Sequence, residues 1–340
     1  MKKKLWTLAA LAGVCACFML ACALCPSVAE FWHRNVMGRM ANALSRVSTR
    51  LPFPLMEVLA IGGAFWGALG LIWALMRRHR WRNLKNWLGN TAILGMILIL
   101  GYALLWYPAY FAPGAWPYVI AEEVSQEEIV GLCRALIGEL NDSAPEEDRL
   151  HALMETAWSG IAALEELPSG GNVPAKAARY PEWMRLTKIS GIYIPHTAEA
   201  LVNPKMEPVA AAFTICHELS HRAGIADEGQ ANVAAYRACM KLGGTFAYSA
   251  RLWALKYAMA ELRSRDEALW WQTLDQMRDG VRVQFAVAVG GYASPEQQDG
   301  WLEKMAGMLG IQCAVDSYSQ LTNYLASGGG GFFLDLRNSP

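Results

Sequence analysis

His217, Glu218 and His221 stand in the stretch His217-Glu218-Leu219-Ser220-His221, which fits the pattern H-E-x-x-H. On a helix, positions four apart lie one turn above each other, so both imidazoles can aim a ring nitrogen at one ion. Glu218 then lies beside the open coordination position. Zinc lowers the pKa of a water it holds to about 7, and a carboxylate there can take the proton. The chain has only six histidines, so a chance match is rare. The competing reading is an exposed helix with two incidental histidines and a glutamate.

Two histidines leave zinc short of ligands, and the acids just after Gly224 are the candidates for a third. Glu228 opens a second helical stretch, Glu228-Gly229-Gln230-Ala231-Asn232. A glutamate ligand on the following helix is the gluzincin arrangement, and Asn232, one turn on, could brace a ligating histidine by a hydrogen bond. Asp227 instead fits H-E-x-x-H-x-x-G-x-x-D. Glu228 is preferred and Asp227 is the alternative. An acidic residue is also at home in any first helical turn.

The elements around these residues must hold them still. Val209 to Cys216 is an apolar run that buries one side of the motif helix, and Gly224 is where that helix can stop. Cys216 points about 100° away from His217 and reads as buried and inert. Upstream, Ile189 to Pro195 reads as a short strand, with Ile192, Tyr193 and Ile194 between Gly191 and Pro195. Zincin folds place an edge strand before the active-site helix, where it pairs with an extended peptide. Ile192 and Ile194 are therefore substrate-binding candidates, with an ordinary core strand as the other reading. His196 and Glu199 follow; they could reach the cleft or lie on a surface loop.

The rest of this region reads as helical. Glu122 to Glu139 is amphipathic and opened by Ser125 with Glu128 three residues later. Further helices are expected over 151–166, 230–242, 247–263, 267–288, 295–309 and 316–326. Gly328 begins a flexible tail.

The first third differs in composition. Three apolar stretches, 5–25, 55–76 and 88–111, are each long enough to cross a bilayer, and the last ends in Trp106, Tyr107, Tyr110 and Phe111. Lys2, Lys3 and Lys4, and the cluster Arg77, Arg78, Arg80, Arg82 and Lys85, place the N-terminus and the second loop in the cytoplasm. Four arginines between spans one and two weaken that asymmetry without reversing it. The first span reads as a retained anchor rather than a cleaved signal, because its apolar stretch is longer than a signal core. The expected architecture is mainly α: a three-helix transmembrane anchor over 1–111, then a mostly helical zincin-like domain with a small β element over 112–327 on the extracytoplasmic side, and a tail over 328–340.

Formal net charge is zero over 340 residues and no basic stripe interleaves with aromatics, so nucleic-acid binding has no support. Four of the eight cysteines lie in the first span, and the others form no CxxC pair, which removes a cysteine zinc site or thioredoxin-like motif.

The three spans, the segment Leu51-Pro52-Phe53-Pro54 before the second, and the stretch from Ile192 to Tyr236 carrying HELSH and Glu228 to Asn232 together resemble a bacterial membrane-protein family known as a domain of unknown function with a zinc-peptidase signature. That family's usual pattern has a second glutamate where Gln230 stands and Phe-Thr-Gly where His196-Thr197-Ala198 stands. Gln230 is thus no ligand, which strengthens Glu228, and the resemblance assigns His196 no role.

The expected function is a membrane-anchored zinc metallopeptidase of the plasma membrane, with the lipid bilayer and an extracytoplasmic peptide or protein as its partners. His217, His221 and Glu228 hold Zn2+ and Glu218 is the general base. The alternative is a zinc-binding sensor or scaffold of the cell envelope without turnover.

Overall fold

The computed structural model describes residues 2–115, 117–121, 123–165, 167, 173–187, 189–290 and 317–329. It is mainly helical with one small sheet. The chain forms two units: Met1–Ala115 with Ile194–Glu199, and Trp116–Tyr193 with the chain from Ala200 on. The short segment from 194 to 199 groups with the first unit although it lies within the sequence of the second.

The first unit contains α1 (Lys2–Leu24), α2 (Pro26–Trp32), α3 (Gly38–Ser48), α4 (Leu55–Met76) and α5 (Arg80–Leu105). α1, α4 and α5 are long and apolar enough to cross a membrane. Their surfaces expose large apolar side chains such as Trp6, Phe65, Trp66 and Ile97, the inverse of a water-soluble bundle. α5 starts and stops earlier than the apolar stretch 88–111. Pro108 disfavours helical backbone at Tyr107, and Tyr107–Tyr110 is a 3-10 turn beyond the helix end. The connection between the first two spans is helical through α2, a π-helical turn over His33–Met37, and α3. Trp32 Nε1 ties it to α5 by donating to the Leu104 carbonyl at 2.8 Å.

In the second unit come α6 (Gln126–Asn141), α7 (Leu150–Ala162), β1 (Lys176–Ala177), α8 (Glu182–Thr187), β2 (Gly191–Ile194), β3 (Glu199–Val202), α9 (Pro208–Arg222), α10 (Glu228–Leu242), α11 (Gly244–Arg265), α12 (Glu267–Leu274), α13 (Asp279–Gly290) and α14 (Ser317–Ala326). Ser125 and Glu128 form the capping box that the spacing predicts for α6. The single helix expected over 267–288 is broken between α12 and α13. Asn141 takes the place of helical partners there: its Nδ2 donates to the Gln276 carbonyl and its Oδ1 accepts from Arg278 N–H, both at 2.9 Å. The helix expected over 295–309, and the tail from 330, lie outside the described residues.

The sheet runs β1-β3-β2, with β1 parallel to β3 in the register Lys176 to Leu201 and Ala177 to Val202. β3 is buried, while β2 is half-buried and lies at an edge. The core gathers around α9, which packs among α7, α10 and α11. Phe213 stacks on Trp253 of α11 with ring centroids 5.5 Å apart, and Trp253 Nε1 donates to the Ala210 carbonyl at 3.0 Å. The apolar run before HELSH is thereby fixed in position as well as buried.

Candidate metal centre

α9 carries His217, Glu218 and His221 in its last two turns, and the chain turns back at Gly224, just beyond its C-cap Ala223. Gly224 has φ +106°, a left-handed value that suits glycine. Its N–H donates to the His221 carbonyl at 2.9 Å, and Ile225 N–H donates to the Ser220 carbonyl at 3.3 Å. This pair of bonds is a Schellman turn. It folds the Ile225 carbonyl back onto His221, whose Nδ1–H donates to it at 2.7 Å. Nδ1 thus keeps its proton on the Ile225 carbonyl, and Nε2 is the nitrogen left to face a metal ion.

α10 begins after this turn. Asp227 is its N-cap, its carboxylate accepting Gln230 N–H at 2.8 Å. Glu228, the first helical residue, turns its carboxylate to the histidines instead. Glu228 Oε2 lies 3.1 Å from His217 Nε2 and 3.4 Å from His221 Nε2, and the two Nε2 atoms are 3.1 Å apart. His217, His221 and Glu228 thus place one donor atom each within 4.8 Å of one another. His221 and His217 are largely covered, at 8 % and 15 % side-chain exposure, while Glu228 at 39 % opens the cluster to solvent.

The electrostatics of the cluster favour positive charge. Burial opposes a charge on His221, but the neighbouring Glu228 carboxylate outweighs it and raises the imidazole to about 9. Burial likewise opposes the charge on Glu228, and the two imidazoles outweigh it and hold the carboxyl below the usual carboxylate range. Glu218 is 6 % exposed, and for it burial wins: its pKa is raised, against the pull of both imidazoles and a hydrogen bond from Tyr193 N–H.

That last bond brings in β2. Asn203 N–H donates to the Ser190 carbonyl at 2.8 Å. In a hairpin, hydrogen-bonding backbone groups alternate, so this pair assigns those of Ile192 and Ile194 to β3 and turns those of Gly191 and Tyr193 away from it, where Glu218 takes the Tyr193 N–H. Glu218 lies along that side. The approach at Gly191 is so close that an added Cβ would sit 2.6 Å from Glu218 Cγ and 2.8 Å from Oε1.

Of the residues singled out in the sequence, the structure groups His217, His221 and Glu228, with Glu218 next to them on α9. Gln230 stands apart: its side-chain amide donates to the Tyr118 carbonyl at 2.8 Å and accepts Tyr118 N–H at 3.0 Å. Asn232 is buried, and its Oδ1 and His217 Nδ1 each lack a hydrogen-bond partner among the described residues. The bracing bond expected between Asn232 and a ligating histidine is not made to His217; the Ile225 carbonyl braces His221. His196 and Glu199 are engaged with α5 and α4. Cys216 is buried beside Cys239 of α10, and burial pushes the Cys239 thiol well above its ordinary value. Sequence reasoning missed the Ile225 carbonyl and the backbone of Gly191 and Tyr193. Main-chain partners carry no side-chain signature, and only Gly224 hinted at the first.

Fold and site together define a helical protein with three membrane-spanning candidates and a His-His-Glu cluster of the kind that holds a divalent metal ion. The chain belongs to the family described as a protein of unknown function (DUF3810), whose profile matches residues 33–297 and so takes in α4, α5 and the whole cluster. No curated protein and no solved structure matches it.

Proposed function

We propose that this protein is a membrane-anchored zinc metallopeptidase that hydrolyses peptide bonds of extracytoplasmic substrates. The observation that carries the reading is the convergence of His217 Nε2, His221 Nε2 and Glu228 Oε2 within 4.8 Å, with Glu218 buried beside them.

These residues fit zinc. Two imidazole nitrogens and a carboxylate oxygen converge at 3.1 to 3.4 Å, an arrangement that positive charge among them stabilises. The donor set, two neutral imidazoles and one carboxylate, is that of catalytic zinc sites. Zinc bound there supplies a Lewis acid that makes water acidic enough to ionise near neutral pH.

The chain's own residues supply the rest. Glu218 takes a proton as general base and hands it to the leaving amine, and its raised pKa suits both halves of that task. The Tyr193 N–H holds the carboxylate in place. An extended peptide laid along β2, at the edge of the sheet, would bring its scissile bond alongside Glu218. The excess of Lys and Arg at the N-terminus and between α4 and α5 supports an outward-facing second unit.

Metal analysis of the full chain in detergent tests the reading. One zinc per chain is expected, lost in His217→Ala, together with a peptide-hydrolysing activity blocked by a hydroxamate. A chain that retains no stoichiometric metal after gentle purification would rule the proposal out.

A further inference from the structure

The turn between β2 and β3 carries contacts that hydrolysis does not use. Glu199 is 3 % exposed, and its carboxylate oxygens accept the backbone N–H groups of Leu55 at 2.8 Å and Met56 at 2.9 Å. These are the first two residues of α4, where helical N–H groups have no partner within the helix and the dipole favours an anion. Pro54, the N-cap, offers no side-chain cap. Glu199 therefore supplies, from 144 residues further along the chain, the cap that the local sequence lacks.

A second tie lies three residues earlier. His196 Nε2 is 2.9 Å from the Leu98 carbonyl, so the ring donates from Nε2. Leu98 lies about 10 Å back from the C-terminal end of α5, counting 1.5 Å per residue. Gly101, on the next turn, eases the approach, since an added Cβ there would sit 3.3 Å from His196 Cδ2 and Nε2. The turn itself is bent: Ala198 has φ 51°, a left-handed value that alanine rarely adopts. The residues from 194 to 199 accordingly group with α4 and α5, although β2 enters the turn and β3 leaves it.

We infer that Glu199 is a positioning residue: by capping α4 it pins the turn that fixes β2, and so sets the strand edge that holds Glu218. This rests on the reading of Glu218 as the general base, but its test does not depend on turnover.

The test is hydrogen exchange by mass spectrometry on the full chain in lipid nanodiscs, with zinc content measured alongside. In Glu199→Gln, one N–H of α4 loses its acceptor. The amides of Leu55 and Met56 should exchange more than tenfold faster, and those of 191–194 should follow, while zinc stays at its wild-type stoichiometry. Where hydrolysis is measurable, kcat should fall with KM little changed, and Glu199→Asp should recover part of it. Faster exchange at Leu55 and Met56 with wild-type protection at 191–194 would overturn the inference. Should Glu199→Gln fail to accumulate, His196→Ala removes the second tie alone, and the same two outcomes decide on the amides of 191–194. A wild-type chain that cleaves nothing would sink the peptidase reading and leave this exchange pattern to stand or fall separately.

Discussion

Glu218 on α9 and Glu199 at the start of β3 are both buried carboxylates, and their surroundings differ in kind. Glu199 spends both oxygens on fixed backbone donors at a helix N-terminus, 2.8 and 2.9 Å away. Glu218 has one backbone donor, from Tyr193, and two imidazoles that favour its charge, yet burial, with a second carboxylate nearby, raises its pKa. A buried acid whose oxygens are all used is a fastening. One whose desolvation is left partly uncompensated can still take up a proton. The difference separates structure from chemistry at the two ends of one short hairpin.

The largest effect that sharpens this contrast belongs to Glu218→Gln. The amide keeps the size and removes the base, so hydrolysis should fall by about 10²- to 10⁴-fold, the usual worth of a general base. Zinc content should not change, since Glu218 is not among the three donors. Replacing an acid held above its ordinary pKa should also leave the melting temperature equal or higher. A variant that still cleaves at the wild-type rate would end the assignment.

Next comes the support of His221. Gly224→Ala forces a Cβ onto a residue with φ +106° and disturbs the turn that delivers the Ile225 carbonyl to Nδ1. Partners that orient a ligating histidine are commonly worth about 10- to 100-fold in metal affinity. Competition with a chromogenic chelator should register a loss of that size, and unchanged affinity would show that the Ile225 bond does not steer the ligand.

Much of the site was legible because its signals are local. The i, i+4 spacing of His217 and His221, the apolar run ahead of them, the stop at Gly224 and the acid at Glu228 all act within a dozen residues. Ser125 and Glu128 announced α6 for the same reason. What escaped depends on distant partners. The break between α12 and α13 is stabilised by Asn141, the capping of α4 by Glu199, and β1 is two residues long and exists only by pairing with β3. Asn232 shows the reverse failure: its spacing suited a bond to a ligating histidine, yet its Oδ1 has no partner among the described residues.

Gly191→Ala probes the strand that faces Glu218. The new Cβ would press on Glu218 Cγ and on Thr214 Cγ2, 2.6 and 2.9 Å away, so either β2 or the base must move. With no ligand touched, zinc should be retained and kcat should fall by about tenfold, the scale expected when a positioned group shifts by a fraction of an ångström. Full activity would mean that β2 yields without consequence, and the edge would lose its claim to the substrate.

The smallest effect extends the comparison to a buried cation. Lys256 on α11 holds its ammonium 4.0 Å from the centre of the Trp253 ring, and burial lowers its pKa from the ordinary 10.5 to about 8. Like Glu218, it has been pushed toward its neutral form for want of enough polar partners. Between those two values the unfolded chain keeps the proton that the folded chain has released, so stability rises with pH. The gain is complete above 10.5 and is lost as the pH falls through about 8. From about pH 7 to about pH 9 it should amount to about 1 kcal/mol. In Lys256→Met that rise should vanish from melting curves recorded at fixed zinc, and a variant with the wild-type slope would trace the pH response to another group. Because Trp253 stacks on Phe213 one turn before His217, the same curves also report whether the packing behind the metal helix tolerates a charge.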